Sequence, residues 1–469
     1  MASIPKLKSL LACLAATAAS ALLMAFGTGL QPLWWAAWLA FVPVLGVAAR
    51  EGLVGTAATV FGAWMLGGLN QWSYLTGSLH LPLPLRLAYL AAAALQATLL
   101  ALAWRRAIRA GSAWRAVWVL PCLGVSLEYL LSLASPHGTF GSLAYTQLGC
   151  LPLVQVASVV GWPGVTFAVL LISGALGLLT ASVLPLKPRL QVAGTVAALL
   201  LAAVLWGWQR SRGEPPGAGY LSIGLAVTSD PARIYPRDGA TARRLLEEYA
   251  EVSEQLAREG AQVIVLPEKI AWLNEADAAW ADGRFSRAAN ESGAALVLGW
   301  GRREGDKVWN EAVLFTPQGA PLRYAKHHLL PVFEDEFTRG TTHVARRQGG
   351  ITWGLAICKD MDFSDTSRAQ DSLGTALLFV PAWDFDVDGW LHSRMAVLRG
   401  VEGGFSVARA AKQAGSPSAT PGDAFSVKLW PQVRASAPWS SKQLPWPSPP
   451  WQDPGAIASP GPAWPSPHC

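Results

Sequence analysis

Three short stretches in the second half of the chain end strands with a reactive side chain. "VIVLPE" ends on Glu268, "YAKHHLLPVFE" presents Lys326, and "GLAICKD" presents Cys358. A carboxylate, an ammonium and a thiol delivered to strand ends suit nucleophilic acyl chemistry. The carboxylate takes the thiol proton, the thiolate attacks a carbonyl, and the ammonium stabilises the oxyanion that develops. A thiolate forming beside Lys326 predicts a Cys358 pKa below the ordinary thiol value. Spacing alone does not establish this set, because a lone cysteine behind an apolar run is more often an inert buried residue.

These residues fall in a region, 218–413, that reads as a soluble α/β domain. "LSIGLAV", "AQVIVLPE", "GAALVLGW", "EAVLFTPQG", "ITWGLAIC" and "TALLFVPAW" are strand-length apolar runs bounded by turn residues. Between the first two, "ARRLLEEYAEVSEQLAREG" repeats its apolar positions at helical spacing and stops at Gly260. Alternating strands and helices predict a sheet covered by helices.

Ahead of this region, residues 1–210 are a series of long apolar runs. Of 469 residues, 52% are hydrophobic and only 14% charged, where a soluble protein has roughly 25% charged. Seven runs approach the length that crosses a bilayer: Leu10–Phe26, Leu33–Ala49, Leu53–Leu69, Leu85–Trp104, Val117–Leu133, Val156–Leu184 and Leu190–Trp208. Lys6, Lys8, Arg50, Arg105, Arg106, Arg109, Arg115, Lys187 and Arg189 all fall on one side of the alternating topology. Positive charge in short loops marks the cytoplasmic side. Seven crossings from an inside N-terminus then set the α/β domain outside the cytoplasm, in the periplasm of a bacterium.

The net charge of +6 is not gathered into a basic face with interleaved aromatics, so no nucleic-acid partner is expected. Cys13, Cys122, Cys150, Cys358 and Cys469 show no CxxC or His-spaced pattern, and His327, His328 and His343 form no recognised ligand set. No metal and no cofactor are expected, and Cys150 reads as a small apolar filler. Glu128, inside an apolar run, calls for a partner or a water-filled cavity. The uncharged stretch Ser135–Gln147 reads either as an interfacial loop lining a lipid path or as connecting structure at the headgroup level. Trp34, Trp35 and Trp72 suit an aromatic belt.

The last stretch, 414–469, is rich in Pro, Ser and Trp without periodicity and reads as a disordered tail, with the look of a shifted reading frame.

The words around the three reactive residues resemble the carbon–nitrogen hydrolase (nitrilase) superfamily, whose Glu-Lys-Cys triad sits in such contexts: "VLPE", then "WNEAVLFTPQGAPLRYAKHHLLP", then "AIC". "RGVEGGFSVARAA", with Arg399, Glu402 and Arg409, is similar too. Joined to a multi-span half, residues 1–413 resemble the apolipoprotein N-acyltransferase family of bacterial inner-membrane enzymes. The resemblance implies an α-β-β-α sandwich beside a multi-span α-helical membrane domain, in a monomer without cofactors. It implies transfer of an acyl chain from a phospholipid to Cys358, and from that thioester to the α-amino group of a diacylglyceryl-cysteine apolipoprotein. Glu268 would be the general base and Lys326 the partner of the oxyanion. Glu334, eight residues after Lys326 in "PVFEDEF", would support the oxyanion site, with Asp335 and Glu336 as alternatives at that offset. Where the family has an aromatic and then an acid after the nucleophile, this chain has Lys359 and Asp360. Family members close with further strands and one more membrane helix, features that 414–469 do not display, so the catalytic domain reads as truncated. A membrane-tethered amidase or nitrilase-type hydrolase, or an inactive remnant, stands beside the transferase reading.

Overall fold

The computed structural model describes residues 4–212, 221–227, 235–385 and 387–413. The expected disordered, frame-shifted tail of 414–469 lies outside the described residues.

The membrane half contains helices α1 (Ile4–Gly27), α2 (Trp34–Leu39), α3 (Val42–Ala48), α4 (Leu53–Gly67), α5 (Leu83–Arg109), α6 (Ala113–Ala134), α7 (Leu151–Val154), α8 (Ala157–Thr180) and α9 (Leu186–Arg212). Among the described residues, six helical stretches are long and apolar enough to cross a membrane: Lys6–Gly27, Leu53–Gln71, Leu83–Arg109, Ala113–Ala134, Ala157–Thr180 and Leu186–Ser211. At about 1.5 Å per residue, 22 residues reach roughly 33 Å, enough for a hydrocarbon core of about 30 Å. The second apolar run differs, because it folds as the short pair α2 and α3 with Pro43 in the first turn of α3.

Hydrogen bonds fix which helix ends lie together. At one end Ser9 Oγ donates to Glu51 Oε1, Arg105 Nε and Arg109 Nη2 donate to the Glu51 carbonyl, and Arg50 Nη2 donates to the Thr180 carbonyl. At the other end Asn70 Nδ2 donates to the carbonyls of Ala25 and Thr28, and Gln147 Nε2 donates to that of Trp34. The α2–α3 pair therefore runs from one end of the bundle to the other, as α1, α4, α5, α6, α8 and α9 do. The basic residues gather at the first end. The α/β domain sits at the second.

Helix α8 is kinked at Gly161, whose φ of 71° is open to glycine and strained for side-chain-bearing residues. Glu128 is satisfied inside the bundle. Its Oε1 accepts the Leu143 amide at 2.9 Å, and its Oε2 accepts the Ser142 and Thr166 hydroxyls at 2.9 and 2.8 Å. The carboxylate thus ties α6 to the 142–147 turn and to α8, and it answers the cost of a polar group at that depth.

The second half contains β1 (Ile223–Leu225), α10 (Gly239–Arg258), β2 (Val263–Val265), β3 (Trp272–Leu273), α11 (Glu275–Ser292), β4 (Ala295–Glu304), β5 (Lys307–Phe315), β6 (Leu322–Ala325), β7 (Ala345–Gln348), β8 (Ile351–Leu355), α12 (Ser364–Ser372), β9 (Leu377–Asp384), α13 (Gly389–Gly403) and β10 (Ser406–Gln413). One sheet has the order β1-β2-β4-β5-β6, with β3 beside β4, and the other β10-β9-β8-β7. Alternation along the strands builds the layers. Val263, Val265 and Val297 of the first sheet meet Leu355, Leu377 and Phe379 of the second. Ile264, Leu296 and Leu298 face α10 and α11, while Leu378 and Val380 face α13. The result is an α-β-β-α sandwich.

The two halves share a core. Leu391, Met395, Leu398 and Val401 of α13 pack with Tyr145, Leu148, Trp162 and Val165 of the membrane half. The fully buried Arg399 donates to Tyr145 Oη at 2.6 Å and Thr139 Oγ1 at 3.1 Å, and it pairs with Glu402. Glu402 in turn accepts the Trp162 amide that the Gly161 kink leaves free. The Ser135–Gln147 stretch is therefore a clasp between the halves: Thr139 also donates through N and Oγ1 to the Asp362 carbonyl.

Candidate active site

Glu268 follows β2, Lys326 follows β6 and Cys358 follows β8, so three strands of two facing sheets deliver the three side chains to one place. Close approach there requires small residues. A Cβ on Gly299 would stand 2.8 Å from the Glu268 Cα, and one on Gly340 would stand 2.1 Å from the Ala325 carbonyl oxygen.

Glu268 and Lys326 are 1% and 3% exposed, and Lys326 Nζ lies 2.8 Å from Glu268 Oε1. Glu334, equally buried, stands 2.9 Å from the same ammonium through Oε2. The structure thus selects Glu334 over its neighbours: Asp335 accepts the Val332 amide and Glu336 pairs with Arg237. Asn310 of β5 donates Nδ2 to both Glu268 Oε1 (2.6 Å) and Glu334 Oε1 (2.8 Å), holding the two carboxyl groups side by side. Lys269 Nζ adds a second cation 2.8 Å from Glu334 Oε1 and 4.8 Å from the Trp383 ring centre. Burial works against the Lys326 ammonium, but Glu268, Glu334 and Cys358 outweigh it and hold its pKa well above the ordinary lysine range. Burial also works against the Glu334 carboxylate, yet Lys326 and Lys269 draw it far below the usual carboxylate value. Both groups are therefore charged at neutral pH.

Cys358 opens the tight turn Cys358–Asp362 in the left-handed region, with φ of 39°. A backbone of this kind costs about 1–3 kcal/mol and persists only where its surroundings impose it. Asp360 does so. Its Oδ2 accepts the Ile357 amide at 3.0 Å and the Tyr324 hydroxyl at 2.8 Å, and its Oδ1 accepts the amides of His327 and His328 at 3.2 and 2.8 Å. One carboxylate therefore locks the turn carrying Cys358 to the segment carrying Lys326. Cys358 Sγ is 3.4 Å from the Trp383 carbonyl and 4.0 Å from Arg409 Nη2, whose guanidinium is paired with Asp384.

The Cys358 thiol is pushed up, not down as the sequence predicted. Burial and the Glu268 carboxylate raise its pKa, and Lys326 and Arg409 only partly oppose them. The resting group is a thiol, so its proton must leave as it attacks. Lys359 is buried at the seam, where its Nζ stands 3.3 Å from Asp362 and 3.2 Å from His137 Nδ1. His328 stacks on Phe363 and pairs with Asp365, and His327 stacks on Tyr324. Among the described residues no group of three or more His, Cys, Asp or Glu side chains is placed to hold a metal ion.

Sequence reasoning passed over Asn310, Lys269 and Lys412. Lys412 is buried, donates to the Lys269 carbonyl at 2.6 Å and lies 4.0 Å from the Trp383 ring centre. Asn310 and Lys269 stand inside or next to the words already singled out, "WNEAV" and "VLPEK", and adjacency to Glu268 is the one signal that could have found the lysine.

The Carbon-nitrogen hydrolase family profile matches residues 236–444, the stretch that holds Glu268, Lys326 and Cys358. The profile of the Apolipoprotein N-acyltransferase N-terminal domain matches residues 20–175. The chain belongs to the apolipoprotein N-acyltransferase family of the nitrilase superfamily. It is 26% identical over 326 residues to an apolipoprotein N-acyltransferase of Geobacter metallireducens, covering 62% of this chain and 61% of that protein. With the apolipoprotein N-acyltransferase of Shewanella oneidensis it shares 26% identity over 376 residues, 70% of each chain. An (R)-stereoselective amidase of Pseudomonas sp is 32% identical over 116 residues, which cover 25% of this chain and 42% of the amidase. The chain thus spans about two fifths to two thirds of the first curated relatives it matches. Among solved structures, an amidase from Nesterenkonia sp. aligns with a TM-score of 0.38 at 22% identity, over 47% of this chain and 91% of that one.

Proposed function

We propose that the protein transfers a fatty acyl chain from a phospholipid to the N-terminal α-amino group of a diacylglyceryl-cysteine apolipoprotein, through a thioester on Cys358. The observation that carries this reading is the junction of a Glu268–Lys326–Cys358 cluster with a bundle of membrane helices through one continuous core. Both substrates keep their tails in a bilayer, and a site fixed at the bilayer surface is what they need. The basic residues at the far end of the bundle support a cytoplasmic location for that end, and hence a periplasmic catalytic domain on a bacterial inner membrane.

In the first half-reaction Glu268 accepts the Cys358 proton as Sγ attacks the ester carbonyl. The Lys326 ammonium neutralises the oxyanion, and Glu334 and Asn310 keep that ammonium in place. Collapse breaks the ester C–O bond, and the proton on Glu268 passes to the lysophospholipid alkoxide. In the second half the acceptor amine attacks the thioester and gives its proton to Glu268. The C–S bond breaks and Glu268 returns the proton to Sγ, leaving an amide and the thiol.

The likeness to an amidase supports a second reading, hydrolysis of a small amide with water as acceptor. One experiment separates the two. Full-length protein is incubated with dipalmitoyl phosphatidylethanolamine and its intact mass is measured. A gain of one palmitoyl group, absent in Cys358→Ala, supports the transferase, whereas an unmodified chain that hydrolyses small amides removes it. Rescue of a strain depleted of the transferase tests whether the chain is active in cells, and failure to rescue would favour an inactive remnant.

A further inference from the structure

A cavity of about 500 Å3 lies at the seam of the two halves, and Cys358, Glu268 and Lys326 do not line it. Its membrane-side wall is the end of α6 and the 135–139 segment. Its other wall is formed by His327 to Leu329, Arg339 and the start of α12. The end of α6 at this wall is also the end at which the bundle meets the catalytic half, so the cavity stands at headgroup level. Tyr129 and Leu133 lead into it and are 44% and 67% exposed on the outward face of α6, beside Leu130 at 62%.

Its charge is unbalanced. Arg339 and Arg368 line the cavity, both are exposed, and neither guanidinium has a hydrogen bond or ion pair with another described residue. Asp365, the carboxylate in the wall, is already engaged by His328 Nε2 at 3.1 Å and by the Thr366 amide at 2.7 Å. His327 is buried in the same wall with no hydrogen-bond partner at Nε2. Two free guanidinium forks match the oxygens of a phosphate, and basic pockets beside membrane helices at headgroup level suit lipid phosphates. An apolar helix face running out of the cavity suits acyl chains and has no use for a free anion.

We propose that this cavity binds the phosphate of a bilayer glycerophospholipid, with Arg339 and Arg368 as its ligands and the acyl chains lying along Tyr129, Leu130 and Leu133. The bound lipid would span the seam, joining α6 to α12. This site rests on the reading of α6 as a membrane helix and is independent of the acyl-transfer reading.

The test uses full-length protein in detergent, with dioctanoyl phosphatidylglycerol counted by native mass spectrometry. The unmodified chain is expected to hold one phosphatidylglycerol more than the Arg339→Gln/Arg368→Gln variant, and that site should weaken at least tenfold. The Arg339→Lys/Arg368→Lys variant should recover part of the binding. Ser132→Trp, which fills the cavity from α6 and leaves both arginines in place, should abolish it. Dioctanoylglycerol, which lacks phosphate, should bind all four chains equally. Equal phosphatidylglycerol counts and affinities in the unmodified chain and the double Gln variant would overturn the site. So would an equal loss of dioctanoylglycerol, and so would displacement of the extra lipid by inorganic phosphate at millimolar concentration. Thioester formation on Cys358, read in the same samples, separates the two readings: its absence with the extra lipid retained counts against acyl transfer and leaves this site standing.

Discussion

Replacing Glu268 by Gln should move two properties of Cys358 in opposite directions. The substitution keeps the shape of a side chain that accepts from Lys326 and Asn310 but removes its charge and its basicity. Glu268 raises the thiol pKa, so its loss leaves Cys358 facing Lys326 and Arg409 with less opposition. A unit charge at about 5 Å in an effective dielectric of roughly 20 is worth about 3 kcal/mol. At about 1.4 kcal/mol per pKa unit, and discounting for relaxation, the thiol should fall by about one to two units. Alkylation by iodoacetamide at a fixed pH between 7 and 9 should therefore speed up roughly ten- to a hundredfold. Acyl-thioester formation should slow by about 10²- to 10⁴-fold, the range for a lost general base. Both rates come from intact mass against time on the same preparation. If alkylation slows along with acylation, Glu268 is not what keeps the resting group a thiol, and the assignment of base and nucleophile fails.

Arg399→Met should cost about 3–5 kcal/mol, because it leaves a buried Tyr145 and a half-buried Glu402 without their cation. Thermal melting in detergent reads the loss, and adding Glu402→Gln should recover part of it. Gly299→Ala should press on the Glu268 backbone, lowering stability by about 1–3 kcal/mol and thioester formation at least tenfold, read by melting and intact mass. His392 lies 3.3 Å from Asp388 and 3.7 Å from Asp362; burial opposes its charge, but bonds to the two carboxylates push its pKa up to about 10. A folded value above the ordinary 6.5 means that this stabilisation is complete below pH 6.5, declines as pH rises, and is gone above pH 10. The melting temperature should fall across that window, and His392→Gln should flatten the slope.

What the sequence made legible was local. Glu268, Lys326 and Cys358 each follow a strand, but the likeness of the words around them to a known family, more than any spacing, singled them out, and the basic clusters of the loops gather at one end of the bundle. Glu334 was found by its offset from Lys326, but only the fold separates it from Asp335 and Glu336, since only Glu334 meets both Lys326 and Lys269. The break between α2 and α3 was hidden because composition over Leu33–Ala49 is apolar throughout. The direction of the Cys358 shift was missed for a different reason. Proximity to a lysine can be guessed from motifs, whereas burial and the opposing carboxylate are properties of packing. The seam was least legible of all, since Arg399 and Tyr145 meet across 254 residues of chain.

Helix α13 bears on how this protein can be handled. One of its faces completes the sandwich and another completes the bundle. A fragment cut out as a soluble catalyst would carry Leu391, Met395, Leu398 and Val401 into water, together with an Arg399 stripped of Tyr145 and Thr139. Such a fragment should aggregate. The shared helix predicts that the two modules unfold together, in one transition.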